Sequence, residues 1–160
     1  MIRSAILTLS AVALIVVTPN AADGGLCIGL GWPVPGSITA AYAPSGQYAG
    51  HWGVDIQAHP GSTVTAAAAG RVVFAGTVVE NLTVTIDHGG GLKSSYSYLG
   101  SKSVGSGAWL ELGEEVGASG LGHGGGGLHF SVRVDGDYVD PQAWLGCHHY
   151  EPRRALRLVG

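Results

Sequence analysis

Residues 71–99, RVVFAGTVVENLTVTIDHGGGLKSSYSYL, decide the fold of this chain. The segments 71–76, 82–87 and 92–99 are β-branched or alternate between apolar and polar residues, which is typical of β-strands. Gly89, Gly90 and Gly91 separate the second segment from the third, and glycine accommodates the backbone of a tight hairpin turn. This stretch therefore predicts consecutive β-strands.

The remainder of the chain extends the same pattern. Leu128–Val134 predicts a further strand, whereas no stretch has a convincing helical periodicity. Residues 66–69 tolerate a helix but are flanked by Gly61 and Gly70, so we expect a strand and a turn there. The pattern indicates an all-β domain built from antiparallel sheets.

Composition limits the size of the fold and the class of partner. A chain of 160 residues suits one compact domain, and 46% hydrophobic residues provide a core. Only 12% of the residues are charged and 28 are glycine, which favours short strands and tight turns over long surface helices. The net charge is −3 and no basic stripe is present, so nucleic acid is not an expected partner.

The first 22 residues resemble a secretion signal. Arg3 precedes an apolar run from Ala5 to Val17, and the small pair Ala21-Ala22 suits a cleavage zone. The run is short for a membrane span, although an uncleaved anchor is the alternative. We therefore expect a location outside the cytoplasmic membrane, secreted or in the cell envelope, with no membrane contact after cleavage. The predicted divisions are a signal at 1–22, a lead-in loop at 23–36, a folded domain at 37–146 and a tail at 147–160.

The two cysteines, Cys27 and Cys147, are expected to form a disulfide, because an exported chain with a small, even cysteine count favours one. The alternatives are two free thiols or a metal cluster of Cys147, His148 and His149. The cluster is disfavoured because adjacent residues on a strand point to opposite faces.

Two of the seven histidines and one aspartate stand in a pattern that suits a metal ion. His51 and Asp55 lie in Gly50-His51-Trp52-Gly53-Val54-Asp55, where the glycines permit the chain to curve so that both side chains reach one ion. His129 lies on the strand predicted at 128–134. Two histidines and a carboxylate form a known zinc set that leaves a fourth position for water or substrate. The alternative is a scatter of structural histidines.

Ordered motifs from about Trp32 to Leu145 resemble the lysostaphin-type metallopeptidase family. They are His51-x-Gly53-x-Asp55, Ala-Ala-Ala-Gly-Arg-Val-Val-Phe-Ala-Gly at 67–76, Ile-Asp-His-Gly at 86–89, Tyr-Ser-Tyr-Leu at 96–99, Leu-Gly-Glu-Glu-Val-Gly at 112–117, Leu-His-Phe at 128–130 and Val-Asp-Pro at 139–141.

The resemblance implies an all-β fold of antiparallel sheets with a metal-bearing groove, of the duplicated hybrid motif type. Family members bind zinc through two histidines and an aspartate, which here correspond to His129, His51 and Asp55. Many members cut peptide cross-links in bacterial peptidoglycan, so peptidoglycan is the implied partner.

The sequence departs from the family at two histidines that are not metal ligands. Active members resemble Tyr-x-His-Leu and His-Leu-His-Phe, whereas this chain has Tyr98 and Gly127 at those positions. On a strand, residues 127 and 129 would share a face, so the loss is expected beside the metal. Loss of general acid–base help typically lowers a rate by about 10²–10⁴-fold. Tyr98 and His123 are the candidate substitutes.

Other residues near these motifs have simpler interpretations. His88 follows a strand and is interpreted as structural, and His59 is expected to be exposed in a turn. Tyr42, Tyr48 and Trp52 either line the groove or cover an edge of the core.

The sequence is compatible with three functions. The first is a catalytically degenerate module that binds the cell wall and regulates another wall hydrolase. The second is an active zinc endopeptidase that cleaves peptidoglycan cross-links. The third, a sugar-phosphotransfer carrier or lipoyl-type domain, is disfavoured by the signal segment and by the lack of a lysine at a lipoyl-type hairpin tip.

Overall fold

The computed structural model describes residues 29–47, 49–122 and 127–146. The predicted signal 1–22, Cys27, Tyr48, His123, Cys147 and the tail 147–160 lie outside these residues, so their predictions stay untested. In the described part the chain forms twelve strands and one short 3₁₀ helix at Pro141–Ala143. The strands are β1 (Ile38–Ala40), β2 (Ala43–Ser45), β3 (Ala49–His51), β4 (Val54–Ile56), β5 (Thr63–Thr65), β6 (Gly70–Val78), β7 (Asn81–Gly89), β8 (Leu92–Lys102), β9 (Trp109–Leu110), β10 (Glu115–Ser119), β11 (Leu128–Val134) and β12 (Asp137–Val139).

Ten of these strands form one sheet, in which the central path is β1-β4-β11-β8-β7-β6-β9. β10 pairs with β5 and β8, β12 pairs with β11, and β2 and β3 form a separate hairpin. Every strand pair is antiparallel, which confirms the predicted fold class. None of the described helices is long and apolar enough to cross a membrane.

The three predicted strands of residues 71–99 lie within β6, β7 and β8, which pair in sequence order. The turn between β7 and β8 uses Gly89, Gly90 and Gly91 at φ angles of 82°, 58° and 83°. Only glycine adopts this region of backbone space readily, so the glycine triplet explains the turn.

Residues 67–69 form bends and residue 66 lies outside any strand, in contrast to the strand and turn expected from the sequence. The backbone there bonds to several separate segments, because Gly31 N donates to Ala67 O and Ala66 N donates to Glu114 O. Ala67 N donates to the buried hydroxyl of Tyr96. These long-range partners satisfy the segment without a neighbouring strand.

One face of the large sheet carries the hydrophobic core. Alternate residues of the central strands, such as Val84, Ile86 and Phe130, are fully buried. The segment 29–36 has no strand but contributes Leu30 and Val34, which are 2% and 1% exposed, to the same core. The predicted boundary between a lead-in loop at 23–36 and a folded domain at 37–146 stays a prediction. Leu30 and Val34, before that boundary, pack into the same core as residues after it.

His88 lies at the core side of β7, in a chain of buried polar groups. Its Nδ1 lies 2.9 Å from Ala69 O, and its Nε2 lies 2.7 Å from Ser94 Oγ. Ser94 Oγ in turn lies 3.0 Å from the Tyr96 hydroxyl. With both ring nitrogens bonded to neutral groups inside the fold, His88 has the surroundings expected of a structural histidine. His59 is exposed in a turn, as predicted.

Candidate metal centre

Asp55 and His129 meet because their strands are neighbours. In the pairing of β4 with β11, Asp55 lies directly opposite His129. Val54 and Ile56 point into the core with no exposed surface, so the alternation of the strand places Asp55 on the outer face. Residues 74 positions apart in sequence are thereby brought within the reach of one ion.

His51 reaches the same place from the end of β3. Gly53 makes this approach feasible, because a Cβ there would lie 2.7 Å from His129 Nε2 and 2.6 Å from Phe130 O. Gly50 has a φ angle of +90°, which L side chains rarely adopt. The glycines of the first motif thus permit the curve that the sequence predicted.

Three ligand atoms form a tight triangle at this point. Asp55 Oδ1 lies 2.8 Å from His129 Nδ1 and 3.1 Å from His51 Nε2, and the two nitrogens are 3.1 Å apart. A tetrahedral zinc ion with bonds of about 2.0–2.1 Å separates its ligands by about 3.3–3.4 Å, so small adjustments fit one ion. The side chains of His51, Asp55 and His129 are 19%, 17% and 16% exposed, so the site is open to solvent on one side.

The surrounding groups prepare these ligands for a cation. His51 Nδ1 lies 2.8 Å from Ala41 O, and this hydrogen bond from the ring leaves the Nε2 lone pair directed at the site. Burial raises the pKa of Asp55, but the hydrogen bond with His129 and the electrostatic interactions with both imidazoles outweigh it and lower the pKa overall. Asp55 is therefore ionised, as a carboxylate ligand must be.

Tyr98 lies next to the cluster in a bulge of β8. The register shifts between the pairs Leu82–Leu99 and Thr83–Ser97, and Tyr98 takes a φ angle of +63° within that shift. Its ring centroid lies 6.4 Å from that of His129 in an edge-on arrangement. A non-glycine residue at positive φ costs about 1–3 kcal/mol and is concentrated at functional sites.

Gly127 does not share a strand face with His129, in contrast to the expectation from the sequence. β11 begins at Leu128, and Gly127 forms an isolated bridge with Gly120 at a φ angle of +148°. A Cβ at Gly127 would lie 2.6 Å from Ile56 O. A histidine at this position would therefore require a different local backbone.

The aromatic residues near the first motif divide into two roles. Trp52 forms one wall of the groove, whereas Tyr42 lies behind it and packs against the core. The Trp52 ring lies 6.4 Å from Tyr42 and 5.7 Å from Tyr138. Tyr138 was not identified from the sequence, because only the pairing of β12 with β11 brings it to the groove.

An open groove of about 440 Å³ runs from His129 across the outer face of the sheet. Its floor is rich in hydroxyl groups, and its two sides are apolar or aromatic. The far end carries Lys93 and Arg133. The floor consists of Thr83, Thr85, Ser95, Ser97 and Ser131, one side of Val73, Phe74 and Val78, and the other of Trp52 and Tyr138.

The sequence of this chain matches a known family and known relatives. The sequence profile of peptidase family M23 matches residues 49–141, which contain all three cluster residues. "Murein hydrolase activator EnvC" of Escherichia coli strain K12 is 38% identical over 120 residues, covering 72% of this chain. The match spans only 28% of that relative's length.

Solved structures agree with the sequence comparison. A peptidase M23 from Pseudomonas aeruginosa is 29% identical with a TM-score of 0.64, covering 76% of this chain and 52% of that chain. Lysostaphin from Staphylococcus simulans is 25% identical with a TM-score of 0.63, covering 72% of this chain and 53% of that one. The profile match over more than half of the chain, the shared all-β fold and the clustered histidines and aspartate show that this chain belongs to peptidase family M23.

Proposed function

We propose that this chain is an exported module that binds peptidoglycan and regulates a second cell-wall hydrolase, without cutting the cross-links itself. It holds one zinc ion at His51, Asp55 and His129. Murein lies outside the cytoplasmic membrane, so the proposal also places the chain in the envelope or the medium.

The observation that carries the proposal is the environment of the metal cluster, which is formed by His51, Asp55 and His129. A bound zinc ion supplies Lewis acidity and lowers the pKa of its water to about 7. Peptide cleavage also needs a side chain that moves protons, and imidazole does this at neutral pH. In the described residues, the positions where active members have these two imidazoles hold Tyr98 and Gly127.

The backbone at Gly127 supports the proposal further. Because a Cβ there would collide with Ile56 O, the missing imidazole belongs to an altered backbone path as well as to an altered side chain. The groove itself is retained, with aromatic and hydroxyl surfaces suited to a peptide. The name of the relative in Escherichia coli, a murein hydrolase activator, agrees with a regulatory role.

The test combines metal analysis, wall binding and two release assays. Purified mature chain is expected to bind zinc in a 1:1 ratio and to sediment with isolated sacculi, yet to release no muropeptides from them. Added to a purified murein hydrolase, it is expected to increase the release of dye from labelled sacculi. Asp55→Ala is expected to lose zinc binding, whereas His59→Ala, which replaces an exposed histidine outside the cluster, is expected to retain it.

A second function is favoured by the position of Tyr98. A phenol beside the metal ligands can donate a hydrogen bond to an oxyanion, although it is a poor base at neutral pH. Zinc-dependent release of muropeptides by the chain alone, abolished by Asp55→Ala, would overturn the regulatory proposal. A loss of that activity in Tyr98→Phe would assign the oxyanion contact to Tyr98.

A further inference from the structure

We infer that the end of the groove opposite the metal cluster binds a carboxylate of an extended peptide through Lys93 and Arg133. The inference rests on the proposed function, because it names the part of a peptidoglycan peptide that the groove recognises. It concerns a separate set of residues from the metal cluster.

The sheet register divides the groove floor into three rows that run across the strands. The metal row contains Ser97, His129 and Asp55, each directly opposite the next. Two residues further along each strand, the hydroxyl row pairs Ser95 with Ser131. Its other members are Phe74 and Thr85, which pair with each other and, through Thr85, with Ser95.

The charged row lies two residues beyond the hydroxyl row. Asp87 lies opposite Lys93, Lys93 opposite Arg133, and Arg133 opposite Tyr138. Because alternate residues share a face, these side chains point to the same side of the sheet as His129. Lys93 and Arg133 both line the groove.

Two cations directly opposite each other are unfavourable for the sheet. The ion pair between Lys93 Nζ and Asp87 Oδ2, at 3.5 Å, offsets one of them. Arg133 makes no ion pair within the described ranges, and its guanidinium lies 5.3 Å from the centre of the Tyr138 ring. The groove end thus carries one positive charge more than its partners neutralise, which complements an anion.

The alternative is that Lys93 and Arg133 are ordinary surface cations with no ligand. A surface pair such as Lys93–Asp87 contributes at most about 1 kcal/mol, so it does not explain why a second cation lies opposite the first. The planar guanidinium of Arg133, held against an aromatic ring, presents several donors in the geometry that suits a carboxylate. These features favour a binding role over a solvated surface.

The spacing of the rows fits an extended ligand. His129 and Arg133 are four residues apart on β11, which corresponds to about 13 Å along a strand. About four residues of an extended peptide cover that distance. The hydroxyl groups of the floor are paired across the strands, Thr83 Oγ1 with Ser97 Oγ at 3.0 Å and Thr85 Oγ1 with Ser95 Oγ at 2.9 Å. Each hydroxyl oxygen has two lone pairs, so these groups can still accept a hydrogen bond from a peptide N–H.

The experiment compares two forms of one ligand. An N-acetylated stem tetrapeptide of peptidoglycan is prepared with free carboxylates and with carboxamides, and the binding of each to the zinc-loaded chain is measured by calorimetry. We expect the carboxylate form to bind about tenfold more tightly, because charge-assisted hydrogen bonds are stronger than neutral ones. In the double variant Lys93→Gln, Arg133→Gln, the two forms are expected to bind equally.

Arg71→Gln is the matched control. Arg71 lies opposite Asp87 in the same row, but its guanidinium donates to Gly107 O at 2.8 Å and lies 5.9 Å from the Trp109 ring, outside the groove lining. The carboxylate preference is therefore expected to survive in this variant, although a positive charge is removed from the same row.

The outcomes separate the inference from the proposed function. One outcome is that the unmodified chain binds sacculi and shows the same affinity for the carboxylate and the carboxamide peptide. In that case the carboxylate subsite is wrong and wall binding stands. Loss of the preference in Arg71→Gln as well would show a general charge effect and overturn the subsite. A chain that binds neither sacculi nor peptide contradicts the proposed function itself.

Discussion

His51 and His88 are anchored in the same way but have opposite surroundings. Each presents Nδ1 to a backbone carbonyl, Ala41 O at 2.8 Å for His51 and Ala69 O at 2.9 Å for His88. The difference lies at Nε2, which faces the Asp55 carboxylate in the first case and the Ser94 hydroxyl in the second. The partner of Nε2, and not the fixing of the ring, separates a cation site from a structural histidine.

Electrostatics follow the same division. Around the metal cluster, the lowered pKa of Asp55 keeps a negative charge beside two imidazoles. For His88, burial lowers the pKa more strongly than the hydrogen bond with Ala69 and the charge of Asp87 raise it. The ionised Asp55 therefore favours a positive charge beside His51 and His129, whereas burial disfavours a positive charge on His88.

The largest expected effect separates the two regions by metal affinity. His129→Ala removes one of three protein ligands, and we expect zinc affinity to fall by more than about 100-fold, since even outer-shell changes cost about 10–100-fold. The free energy of unfolding of the zinc-free chain should fall by only about 1–2 kcal/mol, because Asp55 loses its hydrogen bond with His129. Competition with a chromogenic chelator measures the affinity, and unchanged affinity would contradict the ligand assignment.

The converse substitution acts on folding. His88→Ala leaves Ser94 and the Ala69 carbonyl without their partner and opens a cavity, so we expect a loss of about 2–3 kcal/mol in the free energy of unfolding. Zinc affinity should stay within about twofold of the parent, because His88 is not one of the candidate ligands. A twofold change in affinity corresponds to about 0.4 kcal/mol. Urea unfolding and the chelator assay test both halves, and a large loss of zinc affinity would break the comparison.

A smaller effect is expected further along the same network. Tyr96→Phe removes the hydroxyl that accepts from Ala67 N and contacts Ser94, both inside the core. Burial raises the pKa of Tyr96 to about 12, so this hydroxyl stays protonated at any physiological pH. We expect a loss of about 1–2 kcal/mol in urea unfolding. Tyr138→Phe, at an exposed ring outside the network, serves as the control.

The smallest effect is a pH dependence of stability. Because His88 has a lower pKa folded than unfolded, the unfolded chain binds the extra proton as pH falls below about 6.5. The contribution of neutral, buried His88 to stability is present above that pH and is lost as the pH falls through the pKa of His88 in the folded chain. The free energy of unfolding of the zinc-free chain should therefore decline less between pH 7 and 5 in His88→Gln. Parallel profiles for the two chains would refute this role.

Much of the fold is determined by local sequence. Alternation in residues 71–99 and 128–134 and the glycine triplet at 89–91 act over a few residues, so the strands and the turn were predictable. The segment 66–69 was not, because its backbone is satisfied by partners distant in sequence. The motif around His51 and Asp55 and the strand predicted at 128–134 identified the candidate ligands, and the family resemblance strengthened that set.

Only the tertiary structure decided how these residues are used. Cross-strand register places Asp55 opposite His129 and Lys93 opposite Arg133, and no local pattern encodes a pairing between strands so far apart in sequence. The conformation of Gly127 likewise depends on the nearby Ile56 carbonyl. The sequence by itself thus determined the strands, the turn and the candidate metal ligands. The packing of distant strands decided the groove, its charged end and the backbone of Gly127, which does not accommodate a histidine. All three depend on contacts between residues far apart in sequence.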